Sequence, residues 1–388
     1  MRRSLPFLLQ LLFVVMLTVQ SNRVRAENFH VYIGTYSGPS SKGIYLSEFD
    51  STSGNLGPAE LVAEMKHPSF VAINPEGTHL YAVSETGDHV DGDRKSGAIH
   101  AFRINQANGE LVALNSVLSG GAAPCHIVVD HSGKYVLAAN YTGGNASVHE
   151  INDDGTLGQR TAFVQHNGSS ANKQRQEAAH AHSINVDAGN KHAFVADLGL
   201  DKILIYDFDA NAGTLSPSSP AGVDLPPGSG PRHFSFHPSG KFAYVINELS
   251  LTVTAFSYDA ESGVLSTLQA ISTLPDGITD RAGMSTAEVL VHPTGKFVYG
   301  SNRGYHSIVV YSVDENSGML TYVENKSTQG ETPRNFAIDP TGKFLLAENQ
   351  STNSVVVFSI DQNTGELTAT GTQIEVGSPV CIRFLKHD

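Results

Sequence analysis

The stretch GPRHFSFHPSGKFAYVINE, residues 230–248, recurs in outline five more times, beginning at residues 67, 123, 180, 286 and 332. Each copy carries a short alternating apolar run, a Gly-containing turn, and a second apolar run. A third run such as TVTAFSYD or SIVVYSVD follows, and then a hairpin-type turn such as AESGVL or ENSGML. No helical period appears anywhere, so the pattern predicts an all-β chain. The turn glycines Gly77, Gly133, Gly189, Gly240, Gly295 and Gly342 are spaced 47 to 56 residues apart. That spacing holds about four strands per unit, as in propeller blades. Residues 29–56 match the second half of a unit, and residues 378–388 match only a first strand. Joined, they complete a seventh blade, so the expected fold is a seven-bladed β-propeller closed by its N- and C-terminal strands, without open sheet edges.

Length and composition fit this architecture. A chain of 388 residues has room for two or three domains, but the unbroken repeat leaves no linker, so residues 27–388 read as one domain. Residues 1–26 stand outside the repeat: MRRS is basic, LPFLLQLLFVVMLTV is apolar, and VRA offers small residues at the spacing of a cleavage site. This reads as a secretory signal peptide, since an apolar run of about 15 residues is short of the ~20 that span a bilayer. The expected location is therefore exported, periplasmic or extracellular, with no membrane insertion of the mature domain. Removing the four arginines of that segment takes the formal charge from −13 to −17. Such acidity argues against a nucleic-acid partner. The two cysteines, Cys125 and Cys381, fall near the starts of first strands in blades separated by a third. They are expected as free thiols.

In a propeller the first strand of each blade lines the central channel, and its entry shares a face with the exit of the second strand. Counting back seven positions from each turn glycine gives a column of Phe70, His126, His182, His233, Glu288 and Asn335, with Arg232 and Arg334 one position earlier. Second-strand exits carry Glu85, Asn140, Asp197, Glu248, Arg303 and Glu348 or Asn349. A structural repeat has no need of histidines, glutamates and arginines where its apolar pattern begins. These positions are therefore read as a ligand funnel, centred on Arg232, Glu248, Arg303, His182 and Arg334. Asp197, Asn140 and Asn302 are expected to hold neighbouring backbone. His237 and His292, beside the turn at the other end of the strand, belong to the far face, and the turn lysines Lys134, Lys241, Lys296 and Lys343 belong in solvent.

The segments RQEAAHAHS (175–183), VADLGLDKI (195–203), GPRHFSFHP with VINE, AEVLVHPTGKFVYGSNRGYHSI (287–308) and TPRNFAIDPTGKFLLAENQ give the chain a closer likeness. Over residues 29–388 it resembles the seven-bladed propeller lactonases, which include bacterial 6-phosphogluconolactonase and the fungal carboxymuconate-lactonizing enzymes. The resemblance implies an active centre at His182, Arg232, Glu248 and Arg303, all four also present in the columns above, and no metal or other cofactor. His180 and His182, two apart with no evident third ligand, make a weak case for a catalytic metal.

Lactone opening by water builds negative charge on the carbonyl oxygen, and a fixed guanidinium lowers that barrier. Arg232 is the candidate for this role, and either Glu248 or His182 takes the water's proton. Arg303 and Arg334 are candidates to hold an anionic phosphate or carboxylate on the small-molecule lactone. His126, His233, Glu288 and Asn335 are further candidate substrate contacts. Nothing resembles a Gly-x-Ser-x-Gly elbow, which argues against a covalent serine mechanism. A leader peptide does not suit a cytosolic phosphosugar enzyme, so an unphosphorylated lactone met outside the cytoplasm is a candidate substrate. Two alternatives stand beside hydrolysis. One is a carboxymuconate-type cyclase using the same arginines. The other is a non-catalytic binding scaffold with HNGSSANKQRQEAAH and PDGITDRAG as its adaptable rim.

Overall fold

The computed structural model describes residues 27–387, so the expected leader at residues 1–26 lies outside the described residues. Seven antiparallel sheets form a closed ring. Blades one to six occupy residues 71–118, 124–165, 181–224, 231–272, 285–327 and 333–375, four strands each. Blade seven joins both ends of the chain: its inner strand, Pro379–His387, pairs with Asn28–Thr35, followed outward by Gly43–Asp50 and Glu60–Glu64. Phe29 faces Lys386 and Ile33 faces Ile382 across this seam. The closure expected from the two partial repeats is thus present.

Second strands such as Phe242–Asn247 are buried along their whole length. Neighbouring blades cover both faces, which explains why these runs are continuously apolar rather than alternating. Aromatic rings fill the wedges between blades. Phe194 of blade three stacks on Phe234 of blade four at 5.5 Å between centroids, with Phe236 and Tyr258 edge-on beside them.

A second device ties five of the seven blades to the next. The second-strand tyrosines Tyr32, Tyr81, Tyr244 and Tyr299 donate their hydroxyls to the carbonyls of Gly109, Gly155, Gly318 and Gly365, in the outer hairpin turn of the following blade. Tyr135 does the same to Asn211. Each buried bond contributes on the order of 1 kcal/mol. On the same face, His237 and His292 bond through Nε2 to the carbonyls of Gly295 and Gly342 of the next blade, so these far-face histidines are inter-blade pins.

One turn departs from the sequence expectation. In blade three the left-handed position is taken by Asn190, at φ 55°, while Gly189 is outside that region. Asn190 N–H donates to the carbonyl of Asp187 just as Gly133 N–H donates to that of Asp130. Asparagine tolerates this conformation better than most residues, so it replaces glycine here.

Candidate active site

In blades two to seven the pairing between first and second strands slips near the funnel, and the inner strand carries one residue too many. The residues passed over include Cys125, His182, Arg232, Arg334 and Val380. A bulge of this kind re-aims a side chain that strict alternation would place elsewhere. Counting back from Gly189 aligned His182 with His126 and His233. The pairing instead aligns His182 with Arg232 and Arg334, and Ser183 with His126 and His233. The asparagines of the second-strand column divide from the functional residues in the same way: Asn140, Asp197, Asn247, Asn302 and Asn349 are equivalent, and Glu248 and Arg303 stand one residue further on.

The funnel holds a cavity of about 390 Å³, lined by Glu85, Cys125, Tyr141, Arg175, His182, Glu248, Ser285, Arg303 and Arg334. A larger groove of about 590 Å³, lined by Met65, Lys66, Asp88, His89 and His100 among others, lies on the flank of blades seven and one. It gathers no comparable set of buried charges, so the chemistry belongs to the funnel.

Glu248 is the hub. One carboxylate oxygen accepts from Arg175 Nη2 at 2.6 Å, and the other accepts from Arg232 Nε and Arg303 Nη2, both at 3.0 Å. Backbone carbonyls orient the last two: Arg232 Nη1 donates to Ala287 and Arg303 Nη2 to Thr286. Burial alone would push the Glu248 carboxyl up, but Arg303, Arg232 and Arg175 together outweigh it and hold the group at about 2. Glu248 is therefore a permanent carboxylate. Arg334 donates to Tyr36, whose ring it also faces, and Tyr36 donates in turn to Glu85. The pocket level thus sets Arg175, Arg232, Arg303 and Arg334 against Glu85 and Glu248, an excess of positive charge inside an acidic protein.

His182 lies in the cavity wall beside this cluster, edge-on to Tyr141 and 3.8 Å from Cys125 Sγ. Burial, then the charges of Arg232, His233 and Arg334, hold its imidazole well below the ordinary value, so it is neutral at neutral pH. Burial pushes the Cys125 thiol up, leaving it protonated and inert as a nucleophile. Both cysteines are free, as expected.

The remaining nominated residues form a deeper layer. His233 Nδ1 is 2.8 Å from Glu288, which also accepts from Asn335, and His126 packs against both His233 and Phe70. Burial raises the Glu288 carboxyl and lowers His126 and His233. Only a void of about 10 Å³, bounded by Arg232, His233 and Asn335 among others, separates this layer from the pocket. His126, His233, Glu288 and Asn335 therefore lie under the cavity wall and not in it. Arg232 also sits low, 2 % exposed, behind Glu248.

Asp197 accepts from the backbone of His180, Gly199 and Leu200, while Asn140 and Asn302 reach the carbonyls of Ser119 and Thr273, the structural roles expected of them. His180 stacks on Tyr141 and points its Nδ1 toward the Tyr141 carbonyl. Among the described residues, the pocket histidines form no three-ligand cluster. Arg175, Tyr36 and Tyr141 stand outside the sequence columns. Arg175 comes from the long connection between blades two and three, which no repeat column contains. Glu85 stood in the second-strand column but received no role.

Comparison with known proteins bears on what this arrangement does. The model of the family described as "Lactonase, 7-bladed beta-propeller" matches residues 30–384. The chain is 38 % identical over 354 residues to 6-phosphogluconolactonase of Bacillus subtilis, covering 91 % of this chain and 97 % of that protein. It is 36 % identical over 314 residues to 6-phosphogluconolactonase of Formosa agariphila, covering 79 % and 86 %. Among solved structures, the periplasmic gluconolactonase of Pseudomonas aeruginosa superposes with a TM-score of 0.85 at 32 % identity, over 92 % of this chain and 99 % of that one.

Proposed function

The chain belongs to the seven-bladed β-propeller lactonases, and on that premise we propose that the funnel pocket opens the ring of an anionic sugar-acid lactone by adding water to its carbonyl. The observation that carries this reading is a buried, arginine-rich pocket with an uncharged histidine in its wall. His182 takes the proton of the attacking water as its oxygen bonds to the carbonyl carbon. The oxyanion is met by Arg303 in the wall, with the field of Arg232 behind it. The ester bond then breaks, the ring oxygen leaves as a hydroxyl with the proton His182 carried, and the product is the open hydroxy acid. Glu248 is not free for this step, because both of its oxygens are engaged by Arg175, Arg232 and Arg303. Its part is to fix three guanidinium groups. Arg334 and Arg175, which spend few of their five donors on protein groups, receive the anionic substituent.

The test is proton release from 6-phosphogluconolactone and gluconolactone by the purified protein. Turnover above the spontaneous rate, with the preferred lactone indicating whether the arginines await a phosphate, supports the reading. No turnover on either would overturn it and bring the cyclase and scaffold alternatives forward. The same assay gives the pH dependence. His182 must be neutral to act, and its value is depressed, so kcat/KM is expected to stay level through neutrality and fall only at acid pH well below the usual histidine range. His182→Asn should remove that acid limb and lower kcat/KM by about 10²- to 10⁴-fold. An acid limb unchanged in the variant would assign the base elsewhere.

We also propose export of the mature domain, supported by the leader-like composition of residues 1–26 and by likeness to a periplasmic relative. Fractionation of cells making the full chain is expected to recover a shortened protein outside the cytoplasm. A full-length cytoplasmic product would contradict it.

A further inference from the structure

At the opposite end of the seam that closes the ring, three side chains from three adjacent strands of blade seven meet. His30 and Glu48 stand directly across from one another, on Asn28–Thr35 and Gly43–Asp50. His387, at the end of the inner strand Pro379–His387, is the diagonal neighbour of His30, two residues beyond its direct partner Leu385. One carboxylate spans both rings: His30 Nδ1 is 2.6 Å from one oxygen of Glu48, and His387 Nε2 is 2.6 Å from the other. The imidazoles stack at 4.0 Å between centroids, 15° from parallel, so two nitrogens and a carboxylate face one another. Among the described residues this is the one group of three His, Cys, Asp or Glu side chains whose ligand atoms all come within 4.8 Å of each other.

We propose that His30, Glu48 and His387 form a divalent-cation site, with Zn²⁺ as its favoured ion, that clasps the three strands joining the two ends of the chain. Two imidazole nitrogens and one carboxylate oxygen are a donor set suited to zinc and not to calcium or magnesium, which take oxygen shells. A tetrahedral ion with three protein ligands keeps its fourth position for water, and Glu48, about half exposed, leaves the trio open on one side. His30 is buried and fixed, whereas Glu48 and His387 have room to close to bonding distance. The ion binds each ring through a nitrogen that carries no proton, so zinc competes with the proton at the Glu48-facing nitrogens of His30 and His387. The site is separate from the pocket. Tyr36, which touches Arg334, is six residues along the chain from His30, roughly 20 Å at ~3.4 Å per residue. Its role is to hold the seam shut and not to act on the lactone.

The test uses untagged protein stripped with EDTA, titrated with ZnCl₂ by calorimetry and followed by thermal unfolding. One Zn²⁺ per chain is expected, with a midpoint that climbs with zinc concentration because the ion binds only the folded seam. Glu48→Gln and His387→Asn should each weaken binding by about tenfold or more and abolish the zinc-dependent rise. His387 is partly exposed at a strand end, so its variant keeps the fold even if Glu48→Gln does not. Lactone turnover should be the same in both variants, with or without zinc. Zinc binding equal in the wild type and His387→Asn, or absent from both, overturns the proposal and leaves a hydrogen-bonded trio.

Discussion

Glu248→Gln is expected to lower kcat/KM for the preferred lactone by about 10²- to 10³-fold, with a clear fall in thermal stability. The glutamine has nearly the same shape but no charge, so Arg175, Arg232 and Arg303 lose the carboxylate on which all three converge. Breaking a buried pair leaves uncompensated charge and costs on the order of 3–5 kcal/mol. Mutual repulsion would then turn the guanidinium groups away from the geometry the oxyanion requires. Because Glu248 acts through the arginines, the loss should fall on both kcat and KM, and Glu248→Asp should recover part of it. A glutamine variant retaining more than a tenth of wild-type kcat/KM would show that the carboxylate is dispensable to the site.

Arg303→Met is the second large effect, expected to lower kcat by about 10²- to 10³-fold, the usual consequence of removing one oxyanion donor. Arg303 stands in the cavity wall and donates to both Glu248 and the Thr286 carbonyl, so its guanidinium is held in place before substrate arrives. Burial, opposed by Glu248 and reinforced by Arg232 and Arg334, presses its value below that usual for arginine, yet it stays charged at neutral pH. Methionine fills the volume without the charge, and added guanidinium ion should restore part of the lost rate. Arg303→Lys should fall between the two, since a point charge lacks the planar fork. A methionine variant with unaltered kcat but raised KM would move Arg303 from the oxyanion to the anionic substituent.

The repeat makes the fold legible because six copies of one pattern over-determine it, and even the split seventh blade follows from two unmatched halves. The site was legible to a lesser degree. Arg232, Glu248 and Arg303 stood out because charge interrupts an apolar repeat at those positions. His182 was reached by a count starting from Gly189, although Asn190 holds the turn and a bulge supplies the extra residue. Counting along a strand assumes strict alternation, and a bulge breaks it where the site begins. For that reason the strand count places His126, His233, Glu288 and Asn335 level with the pocket residues, although they lie a layer beneath them. Arg175 was hidden for another reason: it belongs to a connection outside the repeat, so no comparison between blades could single it out.

The tyrosines that reach from one blade to the turn of the next bear on how the molecule comes apart. A linear array of repeats frays from its caps, where the last unit has one neighbour. Here five of the seven blades hold the following one through such a hydroxyl, the seventh holding the first through Tyr32 and Gly109, and in the closed ring every unit has two neighbours. Opening any one blade must break two interfaces at once, so partial loosening has no cheap starting point. Damage remote from the funnel, such as loss of one of these hydroxyls, is felt by the adjoining blades on both sides, and the geometry of the arginine cluster depends on the integrity of the whole circle.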